Sequence, residues 1–107
     1  MGGFNPSIMT PAVVIGRTQS TTYVTSVDIS GSGVLVAVGR NSGSAAPKTK
    51  ITIDGVVKFD RQFGLGGGNS ISHVMVFFYK FSTSLKVEYA AGNALDDSAI
   101  TTTYLLD

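Results

Sequence analysis

Eight short runs rich in Val, Ile, Tyr, Phe and Thr follow one another between residues 12 and 106, separated by clusters of Gly, Ser, Asn and Asp. Runs of this length fit strands better than helices. Their residue types are those whose branched or aromatic side chains pack on a pleated surface. Strand after strand with turn signals between them is the pattern of a small sandwich or barrel.

Residues 1–11 hold Gly2, Gly3, Pro6 and Pro11, which favours an extended N-terminal arm ahead of a single domain over 12–107. The first strand is expected at 12–15, closed by Gly16. Residues 21–29 alternate, with Tyr23, Thr25, Val27 and Ile29 on one face. Residues 33–38 are apolar on both faces, as a central strand would be. The stretch 40–47 reads as loop. Asp54-Gly55 between two β-runs is a two-residue hairpin signature, because a type I′ turn needs the positive φ that these residues tolerate. The Gly-rich segment 64–69 is a flexible loop. Residues 72–81 place Val74, Val76 and Phe78 on one face and Met75, Phe77, Tyr79 and Phe81 on the other. Both faces are apolar, so one packs the core and the other meets a second layer or a partner subunit. Residues 85–89 alternate as a half-exposed strand, and 91–97 form a loop. Ile100, Thr102, Tyr104 and Leu106 line the inward face of the last strand. About eight strands joined by hairpins and longer loops suit an all-β, jelly-roll-like antiparallel β-sandwich. An immunoglobulin-like sandwich is the competing arrangement, without its usual Cys and Trp markers.

The composition points outward. Hydrophobic residues make up 43% of the 107 and charged residues 14%, with a mean hydropathy of +0.26. Average domains carry about 25% charge. The deficit is filled by 12 Ser, 11 Thr and 13 Gly. A polar but weakly charged surface with apolar content to spare implies burial against other chains; the plainer alternative is a monomer with a Thr-rich surface. Net charge is +1. Among the basic residues only Lys48 and Lys50 lie close together, on one face of a strand. Nucleic-acid binding needs a concentrated positive field, so it is not expected. The start of the chain has no basic and apolar signal segment, and the apolar runs 34–38 and 74–79 are too short to cross a bilayer as helices. No membrane partner is expected.

Catalytic chemistry finds no foothold. There is no Cys, and His73 is the single imidazole. The acids Asp28, Asp54, Asp60, Glu88, Asp96, Asp97 and Asp107 lack metal-ligand spacing, and Asp96-Asp97-Ser98 lacks the periodicity of a calcium loop. Segment 64–69 fails the phosphate-loop pattern at Asn69 and precedes a strand. No Gly-x-Ser-x-Gly elbow is present. The chain is expected to be no enzyme and to use no cofactor or metal. Most aromatics fall on apolar strand faces and read as core. Phe4 and Phe63, in the arm and a loop, read as anchors for a neighbour's pocket. The candidate contact set is Phe4, Pro6, Ile8, Phe63, Leu65, Met75, Phe77 and Tyr79.

The second half carries Ile51-Thr52-Ile53-Asp54-Gly55, then Phe81-Ser82-Thr83-Ser84-Leu85-Lys86-Val87-Glu88, then Tyr104-Leu105-Leu106-Asp107. Residues 50–107 thereby resemble the small β-sandwich virion structural proteins of tailed bacteriophages, in which such a hairpin, strand and closing segment recur in order. Thr83 stands where that pattern more often has Asn. The resemblance implies a non-enzymatic virion subunit, made in the bacterial host cytoplasm and assembling as a homo-oligomer, with a trimer favoured. Its partners would be itself and the phage's major capsid or tail protein. A capsid decoration (cement) subunit that stabilises the head is favoured, because no coiled-coil or shaft segment ties the chain to a fibre. The alternative is a tail-tip or fibre-associated module binding a receptor or carbohydrate.

Overall fold

The computed structural model describes residues 9–42, 47–62, 71–94 and 97–107. Eight strands carry the chain: β1 (Thr10–Thr18), β2 (Val24–Ser30), β3 (Gly33–Ser42), β4 (Lys48–Ile53), β5 (Val56–Gln62), β6 (Ile71–Phe81), β7 (Ser84–Ala90) and β8 (Ser98–Leu106). They form two four-stranded sheets, ordered β1-β8-β3-β6 and β2-β7-β4-β5. Every pairing is antiparallel. The pairing is nested, first strand with eighth, second with seventh, third with sixth, fourth with fifth. A long hairpin of this kind rolls up when β3 also docks on β8 and β4 on β7, and the product is the jelly roll. The all-β, jelly-roll-like sandwich expected from the strand count is the fold observed.

Period-two alternation builds the core between the sheets. Leu35, Val38, Phe81, Ile100 and Tyr104 from the first sheet meet Val27, Ile51, Ile53, Leu85, Val87 and Tyr89 from the second. Burying one such side chain contributes about 1.5–3 kcal/mol. The inward placement of Ile100, Thr102 and Tyr104 agrees with the sequence reading.

Three readings are corrected. Gly16 does not close β1; it lies within the ladder opposite Ile100. Its missing side chain leaves room for the Tyr89 ring, whose hydroxyl a Cβ there would approach to 2.5 Å. Arg40 is not in a loop, because β3 runs on to Ser42 and the Arg40 side chain is buried between the sheets. On β2, a bulge between Thr25 and Val27 breaks the alternation. Val24, Val27 and Ile29 therefore pack on the core while Thr25 is exposed.

The two ends of the sandwich differ. One end holds the turns at 31–32, 54–55 and 82–83, each of two residues. The hairpin turn is as expected, with φ of 52° at Asp54 and 81° at Gly55. At the opposite end lie the strand ends Thr18, Val24, Ser42, Lys48, Gln62, Ile71, Ala90 and Ser98, which the longer connections of the sequence join in pairs. The Gly-rich segment 64–69 and residues 1–8 of the arm lie outside the described residues.

Candidate functional site

The outer faces of the two sheets have opposite chemistry. The strands β2, β7, β4 and β5 carry eight charged side chains: Asp28, Lys48, Lys50, Lys58, Asp60, Arg61, Lys86 and Glu88. Opposite signs face each other across the ladder, Asp28 beside Lys86 and Lys50 between Glu88 and Asp60. Tyr23 Oη donates to Asp60 Oδ1 at 2.5 Å, and Lys50 Nζ lies 5.8 Å from the Tyr23 ring centre. Partial burial and the Asp60 carboxylate push the Tyr23 phenol well above its ordinary range. This sheet is dressed mainly with charge, although Val56 and Val57 at the start of β5 are also exposed.

The strands β1, β8, β3 and β6 contain no acidic residue and three formally charged ones, Arg17, Arg40 and Lys80. Arg40 points inward. Arg17 pairs with Asp97 at 2.6 Å at the loop end of the sheet. Between these ends the outward residues lie in rows across the sheet. One row reads Val13, Thr103, Ala37, Val76, and the next Ile15, Thr101, Gly39, Val74. The edge strands therefore bear bulky aliphatics while the central strands bear small residues. Ile15 is 72% exposed, Val74 73% and Phe78 59%. Between β8 and the β6 wall lies an open depression of about 370 Å³ over β3, floored by Ala37 and Gly39, walled by Val74 and the β8 residues Ala99, Thr101 and Thr103, and bounded at one end by Arg40 and Asn41. The exposed aliphatics thus stand on the two edge strands, with threonines and small residues between them.

The expected contact residues fall differently. Phe4, Pro6, Ile8, Phe63 and Leu65 lie outside the described residues. On β6, Met75, Phe77 and Tyr79 are half-buried. Phe77 and Tyr79 lean on the core, and Phe77 meets Phe59 of β5 edge-on at 5.4 Å and Tyr79 at 5.1 Å. The large exposed side chains on this strand are those of the other parity, Val74, Val76 and Phe78. Phe78 has φ of 51°, at a bulge where β6 runs one residue longer than β3 between the Leu35–Tyr79 and Ala37–Val76 pairs. The signal for this face lies in the sequence as four acid-free strands, but it becomes readable only once those strands are known to share a sheet.

Two polar centres lie away from this face, one buried between the sheets and one at an exposed turn. All five Arg40 N–H donors are used. Nε donates to Ala99 O at 3.1 Å, Nη1 to Lys48 O and to Thr49 Oγ1 at 2.7 Å, and Nη2 to Ala90 O at 3.4 Å and Ser98 Oγ at 2.6 Å. Its guanidinium also lies 5.3 Å from the Tyr89 ring centre. Burial lowers its pKa to about 10, and it keeps its charge at neutral pH. These partners come from β8, β4 and β7, so one side chain ties both sheets together. At the other end, the Asp54 carboxylate accepts from Ser82 N at 2.9 Å, Thr83 N at 2.7 Å, Thr83 Oγ1 at 3.0 Å and Ser84 N at 3.1 Å. Both centres are saturated by the chain itself. Among the described residues no three His, Asp or Glu side chains gather where a metal could bind.

The sequence matches no family model and no curated protein. Among solved structures it is similar to a chain of infectious bursal disease virus, Gt strain, at 13% identity and a TM-score of 0.44, over 94% of this chain and 33% of that one. The Gx strain of the same virus gives 12% identity and a TM-score of 0.43, over 96% of this chain and 35% of that one. This chain thus spans about a third of the length of those viral chains.

Proposed function

We propose that this chain is a structural subunit of a virus particle. Within that class we read it as a capsid decoration protein of a tailed bacteriophage, binding copies of itself and the head lattice and catalysing no reaction. The observation that carries this reading is the acid-free outer face of the β1-β8-β3-β6 sheet, where Val13, Ile15, Val74, Val76 and Phe78 stand exposed. Among the described residues five of the seven large exposed apolar side chains stand on this sheet, the other two being Val56 and Val57 of β5. The other sheet carries the paired charges, a distribution that fits a molecule covered on one side and wet on the other. The bacteriophage placement rests on the resemblance of residues 50–107.

Two measurements test it. Light scattering coupled to size exclusion is expected to give a multiple of the 11.1 kDa chain mass at high protein concentration. Ile15→Glu and Val74→Glu are each expected to return that mass toward the monomer. Proteomic analysis of particles of the virus that encodes the chain is expected to find it in many copies. A monomer at every concentration together with absence from particles overturns the reading. A second reading, a receptor- or carbohydrate-binding module on the tail, is favoured by the gathering of four longer connections at one end of the sandwich. A glycan array with defined hits would move the assignment there.

A further inference from the structure

We infer that the outer face of the β1-β8-β3-β6 sheet seats a second copy of this chain, packed face to face about a twofold axis running along β8. This rests on the assembly reading above and specifies its contact. Strands in a sheet lie about 4.8 Å apart, so β1 and β3 stand at equal distances on either side of β8. Rotation about an axis along β8 carries the β1 ridge of one copy over β3 of the other, and the reverse. Such a rotation preserves height along the strand. Ile15 then falls over Gly39 of the other copy, and Val13 over Ala37, because each pair shares a row. The bulkier side chain meets the position with no side chain. Val74 of β6 closes the far wall of the depression beside the incoming ridge, and Val76 stands exposed two residues further along the same strand. An axis across the strands would instead set ridge on ridge and leave both depressions empty.

Charge agrees with self-contact, since a twofold brings like residues together. Of the two outward cations, Arg17 lies on the β1 ridge, where Asp97 neutralises it at 2.6 Å and its row sets it over Asn41 of the other copy, and Lys80 sits on β6, beyond the overlap. What meets at the axis is Thr101 with Thr101 and Thr103 with Thr103. Three overlapping strands, each about 30 Å long, cover roughly 450 Å² per copy, or about 900 Å² in all. That is near the lower bound of a specific contact, so the dimer forms in a concentration-dependent way.

The chain contains no cysteine, which makes the axis directly testable. Thr101→Cys treated with a short bis-maleimide is expected to give a covalent dimer, whereas Asp28→Cys, on the charged outer face, gives none. Gly39→Leu fills the depression and is expected to lower the Thr101→Cys yield at least tenfold. Ile15→Glu on the exposed edge serves as the second disrupting variant, with circular dichroism confirming that both fold. An oligomer that leaves Thr101→Cys uncrosslinked places the contact elsewhere and overturns this inference while the assembly reading stands. A trimer mass overturns the twofold alone, and a monomer at every concentration overturns both.

Discussion

Arg40 is a buried cation whose hydrogen-bond partners are three carbonyls and two hydroxyls. Its planar fork spreads five donors over three strands, a geometry a single ammonium cannot copy. Arg40→Met leaves Thr49, Ser98 and several carbonyls without their partner, and the expected cost is about 3–5 kcal/mol, read from the denaturant midpoint at constant slope. Arg40→Lys is expected to recover only part of that loss. Asp54 acts in the opposite sense, as an anion held by N–H and O–H donors that lower its pKa from 3.8 to about 2. A depressed carboxylate contributes stability that is present above its unfolded pKa and disappears as pH falls through the folded one. The melting temperature is therefore expected to drop as the solution is acidified through the window from 3.8 down to about 2. Asp54→Asn is expected to melt lower at neutral pH and to flatten that acid limb, which thermal scans across the window will check.

Strand identity was legible from the chain because period-two runs and turn residues report local geometry. The Asp54-Gly55 hairpin, the inward parity of β8 and the two-faced β6 all follow from neighbours close in sequence. What escaped depends on contacts far away along it. Gly16 signals a turn locally, yet in the fold it clears space for Tyr89. Arg40 resembles loop in its polar surroundings, but its donors are met by residues as distant as Ala99. Bulges shift parity on β2 and β3 with no marker in composition, whereas β6 keeps its alternation, and which of its two apolar faces meets the core depends on the distant strands it packs against. Close approach between strands gives an element-scale prediction. A Cβ at Gly33 would lie 2.0 Å from the Leu105 carbonyl oxygen, a backbone atom that cannot swing away. Gly33→Ala is expected to destabilise by at least about 2 kcal/mol, checked by chemical denaturation.

For the molecule as a whole, the arrangement has two polarities at right angles, apolar face against charged face and tight-turn end against loop end. The turn end is also knitted across strands: Gly31 N donates to Thr83 O at 2.8 Å, Asp54 N to Ser84 O at 3.0 Å and Asp107 N to Ser32 O at 3.1 Å. The strands β1 and β8 both reach this end, where Thr10 lies opposite Leu106. That adjacency decides how the fold carries mechanical load. A pull applied through both ends of the chain would open the β1–β8 ladder like a zipper, loading one rung at a time. A pull along the long axis, from the turn end to the loop end, would load many rungs in shear at once. The fold is therefore expected to resist a load borne along its strands and to yield early to one that separates Thr10 from Leu106.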